Sequence, residues 1–124
     1  MRILCVDDSR AIHAYMDSVL AGTEFQLIHV YNGQEALTRL EEPDSSLFEA
    51  VLMDWEMPIM DGPTTVEAIR QRGNKIPIIM VTTKNEFADI ALMLGKGATD
   101  YMMKPFTKDI LVEKLESVTK RTGQ

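Results

Sequence analysis

The chain has a single cysteine, Cys5, and so cannot form an internal disulfide. Cys5 lies inside an apolar run, which suits a small core residue in a protein of a reducing compartment, and a cytoplasmic setting is expected. No apolar stretch approaches the roughly 20 residues needed to cross a bilayer, so membrane insertion is not expected. The opening "MRILCVDDS" has one basic residue and an apolar run too short for a signal-peptide core. Lysine and arginine nowhere cluster, and the formal net charge of −6 opposes direct binding to nucleic acid or an anionic membrane. Linker-like sequence is confined to "EEPDSS" at 41–46, too short to separate domains. What remains is 124 residues of ordinary globular composition, 45% hydrophobic and 26% charged, enough for one domain with one core. Methionine is abundant at nine residues, and core filling is its expected use rather than a Met-rich docking surface.

Five short apolar runs alternate with five helix-like segments. The strand candidates are 2–6, 26–30, 50–53, 76–82 and 99–103, and three are continuously apolar, as parallel strands covered on both faces are. The helix candidates are 9–21, 33–42, 63–72, 85–95 and 107–120, with apolar residues at helical spacing such as Ile12, Met16, Val19 and Leu20. Pro63 suits a helix start, and Gly73 and Gly97 read as helix stops. Regular β–α alternation predicts a parallel sheet with right-handed crossovers and helices on both faces, a doubly wound α/β fold.

Such sheets bind ligands at the carboxyl ends of their strands, beside the point where strand order reverses. Asp7 and Asp8 follow the first strand, Asp54 follows the third, Thr82 closes the fourth and Lys104 follows the fifth. All five therefore belong at one rim. Three gathered carboxylates repel one another, and a hard divalent cation removes the conflict, since Mg²⁺ favours carboxylate and carbonyl oxygens. Metal and lysine together suit phosphoryl chemistry, in which a carboxylate can itself be the nucleophile. Each residue also has a plainer reading. "DDS" before a helix is an N-cap, Asp54 can cap a turn, Thr82 can be a strand residue and Lys104 a solvated loop lysine; their shared position at strand ends favours the site. His13 and His29 lack partners at metal spacing and are expected to be structural, and Trp55 is expected to be partly exposed.

With "VDDS", "VLMDWEMPIMDG", "VTT" and "GATDYMMKPF" in this order, the sequence resembles the response-regulator receiver domain of two-component signalling, of the single-domain chemotaxis type. The resemblance covers essentially the whole chain, 1–124, and implies a flavodoxin-like (βα)5 sandwich with strand order 2-1-3-4-5, without an effector domain. It also implies that Asp54 is the phosphoacceptor, receiving a phosphoryl group from a histidine kinase or phosphotransfer protein. Mg²⁺, with Mn²⁺ as a substitute, would be held by Asp8 and Asp54, by the Glu56 backbone carbonyl, and by Asp7 through water. Lys104 and Thr82 would contact the phosphoryl oxygens, and Tyr101 occupies an aromatic switch position. The Lys104–Pro105 peptide bond is expected to be cis. Output would pass through helix four, strand five and helix five to a protein target, such as a flagellar switch component or another signalling protein. Such a monomer is no enzyme towards other substrates and catalyses only its own phosphorylation and dephosphorylation.

Two departures from the family pattern bear on phosphate lifetime. Thr83 is bulkier than the usual Ala, Ser or Gly, and Glu56 and Lys84 form an oppositely charged pair at variable positions. The main alternative is a Mg-dependent aspartate-nucleophile phosphatase, but that family carries its nucleophile after the first strand. A flavin carrier would need a hydroxyl-rich phosphate loop where "DDSRA" stands.

Overall fold

The computed structural model describes residues 1–119. The elements are β1 (Arg2–Val6), α1 (Arg10–Leu20), β2 (Gln26–Val30), α2 (Gly33–Arg39), a 3-10 turn (Pro43–Leu47), β3 (Phe48–Asp54), α3 (Gly62–Gln71), β4 (Ile78–Thr82), α4 (Phe87–Lys96), β5 (Asp100–Met103) and α5 (Lys108–Thr119). All strand pairs are parallel, in the order β2-β1-β3-β4-β5. This is the expected doubly wound sandwich.

Strand periodicity of two sorts the apolar side chains into two layers. Leu4, Val6, Val51, Met53, Ile78 and Met80 pack towards α2, α3 and α4, meeting Leu37, Val66, Ile69 and Met93. Their sequence neighbours Ile3, Cys5, Leu52, Ile79 and Val81 face α1 and α5, meeting Met16, Leu20, Leu111 and Leu115. Each fully buried Leu, Ile or Met side chain contributes about 1.5–3 kcal/mol relative to exposure, so both faces of the central strands hold the sheet. Five methionines are buried, at 16, 53, 80, 93 and 102, which fits their expected role as filling.

Several boundaries differ from expectation. β3 begins at Phe48, two residues early, because Phe48 pairs in register with Arg2 and carries the guanidinium groups of Arg2 and Arg39 over its ring. β4 begins at Ile78, after Pro77, which has no N–H for the ladder. The linker-like 41–46 patch is ordered: Asp44 binds Arg39 at 2.7 Å and Arg2 at 3.1 Å, and these bonds hold its carboxyl below the usual range. Gly97 ends α4 at φ 116, as a helix-stopping glycine should. Residue 120 of the expected last helix lies outside the described residues. No helix among the described residues is long and apolar enough to cross a membrane.

Candidate functional site

Each strand delivers its last residue to the same rim because the sheet is parallel throughout. β1 ends at Val6 and passes Asp7 and Asp8 into the turn before α1. The plainer, N-cap reading of "DDS" holds there. Ser9 caps α1 by accepting from the Ile12 N–H, and the Ser9 N–H donates to Asp7 Oδ1 at 2.8 Å. Asp54 ends β3, and the Trp55 N–H donates to its Oδ1 at 2.9 Å. Asp7 and Asp54 are buried and Asp8 is exposed, and the three place carboxylate oxygens within 4.8 Å of one another.

Lys104, after β5, reaches across the rim. Its ammonium lies 3.1 Å from Asp54 Oδ1 and 3.3 Å from Asp7 Oδ2. Burial alone would depress the lysine, but Asp54 and Asp7 outweigh it and the net shift is upward, so the group stays cationic. Burial pushes the Asp54 carboxyl up to about 6, the Asp7 charge adds to this, and Lys104 opposes it. One lysine therefore does not neutralise the rim. A second cation, bound by oxygen donors, is the group these residues fit. The Trp55 and Lys104 contacts both fall on Asp54 Oδ1, so Oδ2 carries neither.

The loop after β3 is shaped by backbone constraints. The Gly62 N–H donates to the Trp55 carbonyl at 2.7 Å, and a Cβ on Gly62 would collide with the Asp54 carbonyl oxygen. Within this loop Ile59 is held at φ 73, where a β-branched residue is strained. The Lys104–Pro105 bond is cis, as expected.

Thr82 is buried at the end of β4, and its hydroxyl accepts from the Lys84 N–H at 3.0 Å. Thr83 is exposed beside Lys104 and Pro105. Glu56 turns its side chain to solvent and meets Lys84 at 3.4 Å. Tyr101 is half-buried on β5, packed against the α2–α4 layer, with Lys114 over its ring at 5.5 Å.

Two expectations are corrected. Trp55 is buried rather than partly exposed, because it packs into the α2–α4 layer with the Lys84 ammonium 5.4 Å above its ring. His13 and His29 are not without partners: their Nδ1 atoms face each other beside Cys5. They come from different elements, α1 and β2, which chain spacing could not place together. Sequence reasoning also missed Arg70, whose guanidinium donates to the carbonyls of Gly97, Asn74 and Ile76 at 2.9, 3.0 and 2.7 Å.

A five-stranded parallel sheet with acids from β1 and β3 and a lysine from β5 at one rim defines a class of doubly wound α/β module with its charged cluster at the carboxyl ends of the strands. The family model of the response regulator receiver domain matches residues 3–116, and the chain belongs to that family. It is 34% identical over 121 residues to chemotaxis protein CheY1 of Helicobacter pylori, covering 95% of this chain and 96% of that protein. Its structure is similar to that of chemotaxis protein CheY4 of Vibrio cholerae, with TM-score 0.85 and 29% identity over 94% of this chain and 97% of that one. It is also similar to the receiver domain of a sensor histidine kinase from Pseudomonas aeruginosa, with TM-score 0.84 and 28% identity over 95% and 96% of the two chains. That structure has a magnesium ion coordinated in its active site cleft.

Proposed function

We propose that this receiver domain accepts a phosphoryl group on Asp54 from a phosphohistidine of a histidine kinase or phosphotransfer protein. Its phosphorylation state then sets its affinity for a protein target, in chemotaxis or a related pathway. The observation that carries this reading is the Asp54 carboxylate. Its Oδ1 is fixed by the Trp55 N–H and Lys104, while Oδ2 is left for bond formation. In the transfer the Oδ2–P bond forms and the donor's N–P bond breaks. Lys104 stays cationic and can follow charge onto the phosphoryl oxygens. Asp8, Asp54 and the Glu56 carbonyl would hold Mg²⁺, with Asp7 assisting through water. When bound, that ion would neutralise charge on the transferring group.

The output side rests on exposed apolar surface. Phe87, Leu92 and Leu94 of α4 and Ile110 of α5 are all exposed, on the two helices that flank in sequence the strand carrying Tyr101. An apolar face of this kind suits a protein target rather than an acidic polymer. Incubation with a small phosphodonor and Mg²⁺ is expected to label the protein stoichiometrically, without turnover. Asp54→Asn should abolish the label, and chelator should prevent it. Undiminished labelling of the variant would refute the assignment.

A further inference from the structure

On the side of the sheet covered by α1 and α5, a second group of ligating atoms has no part in the acidic rim. Cys5 Sγ, a nitrogen of His13 and a nitrogen of His29 lie within 4.8 Å of one another. Cys5 and His29 are register partners on adjacent strands, and His13 reaches them from α1. Cys5 and His13 are buried.

The outer nitrogen of each ring is held by an acceptor. His13 Nε2 lies 2.7 Å from the Asp7 carbonyl oxygen, and His29 Nε2 lies 3.0 and 2.9 Å from the two Asp17 carboxylate oxygens. These oxygens accept only, so each Nε2 carries its hydrogen, and in a neutral ring each Nδ1 is then a bare lone pair. The two Nδ1 atoms face each other. Facing lone pairs repel unless a cation joins them, either a shared proton or a metal ion. Two features favour the metal. A carbonyl or carboxylate behind the far nitrogen is the arrangement that orients metal-bound histidines. A third donor, the Cys5 sulfur, is in reach, and the Met16 thioether lies 3.6 Å from it.

We infer that Cys5, His13 and His29 form a binding site for a thiophilic d10 cation, Zn²⁺ or Cu⁺. Binding makes one metal–sulfur and two metal–nitrogen bonds, releases the thiol proton to solvent, and changes no oxidation state. Donors around such an ion stand about 3.3–3.6 Å apart, so the rings part slightly and the sulfur swings inward. A water or the Met16 sulfur completes the shell, the thioether suiting Cu⁺. His29 is the only half-exposed ligand, so the ion enters past it.

The test uses metal-depleted protein with excess Mg²⁺ present, so that the acidic rim does not compete. One arm titrates Zn²⁺ against a chromophoric chelator; the other titrates Cu⁺ anaerobically against a Cu⁺-selective chelator. One equivalent is expected in at least one arm, and the arm that binds identifies the ion. His29→Gln should weaken binding at least about tenfold, and Asp17→Asn by about 10–100-fold. Co²⁺ added as a spectroscopic probe should give a thiolate charge-transfer band that is lost in Cys5→Ala. No tight equivalent in either arm, or equal binding by wild type and His29→Gln, would overturn the site and leave a shared proton between the rings.

Discussion

Burial of Asp54 and its nearness to Asp7 mean that the native protein holds the Asp54 proton more firmly than the unfolded chain does. Its native pKa of about 6 stands above an unfolded value of about 3.9. Stability of the metal-free protein therefore falls as pH rises from about 4 to about 6, and the loss is complete above that window. Asp54→Asn removes the charge, so it is expected to raise stability by about 1–3 kcal/mol at neutral pH and by little below the unfolded pKa. Urea unfolding of both proteins across that range measures the difference. Equal stability at neutral pH would mean that Lys104 already compensates the carboxylate. Ile59 is a second strained residue: it sits at φ 73 with its side chain exposed, and Ile59→Gly should gain about 1 kcal/mol by relieving that strain. The same urea assay tests it, and a loss of stability would show that the isoleucine side chain outweighs its backbone cost. The Glu56–Lys84 pair at 3.4 Å bears on the proposed aspartyl phosphate. An exposed bridge of this kind adds little to stability, but on the proposed function it would border the approach of water to Asp54. Either alanine variant is expected to lose phosphate severalfold faster, with little further gain in the double variant. Slower loss in Glu56→Ala would instead make that carboxylate a guide for the attacking water.

Among the elements, α3 and α4 are tied by Arg70, whose three carbonyl acceptors are Gly97 at the C-terminal end of α4 and Asn74 and Ile76 in the lead-in to β4. Burial lowers the pKa of this arginine; a hydrogen bond from a charged donor is worth about 1.5–3 kcal/mol, and at this half-buried side chain water can replace much of the set when it is removed. Arg70→Ala is therefore expected to cost about 2–3 kcal/mol in urea unfolding, with lysine restoring only part of it, because one ammonium cannot span the three acceptors. A loss under about 0.5 kcal/mol would show that water replaces the clamp. Gly97→Ala should act on the same joint, since a Cβ there would lie 2.7 Å from Arg70 Cγ and φ is 116. The strands were legible because apolar runs such as "AVLM" and "IPIIMVT" are long and bounded. Their ends were not, because they depend on register: Phe48 joins β3 through Arg2 on another strand. Arg70 was invisible for a similar reason, as its acceptors are backbone atoms up to 27 residues away.

At the scale of the whole molecule, the sequence made the acids and Lys104 legible because parallel topology converts "last residue of a strand" into "same rim". The His13–His29 contact escaped it, since the crossing of α1 over β2 sets that meeting and no spacing rule encodes it. The proposed switch belongs to this scale as well. Thr82 is bonded to the Lys84 N–H at 3.0 Å, and Tyr101 is half-buried one strand away. If Thr82 turns to the phosphoryl group, Tyr101 can repack inward and reshape the α4–β5–α5 face, giving two discrete states. Thr82→Ala is expected to accept phosphate yet lose most of the phosphorylation-dependent gain in target affinity, measured by titrating a captured target. An unchanged gain would remove Thr82 from the coupling.

Trp55 is the only indole in the chain. Its backbone N–H touches Asp54 Oδ1, and the Lys84 ammonium rests 5.4 Å over its ring. The protein thereby carries a single indole fluorophore wired to the proposed phosphoacceptor. Emission intensity, excited at the red edge where tyrosine does not absorb, should follow any change of charge at Asp54 or any shift of Lys84, free of background from a second indole. Stopped-flow traces on unlabelled protein would then read the chemistry at Asp54 in real time, and Lys84→Ala would separate the part of the signal that comes from the ammonium.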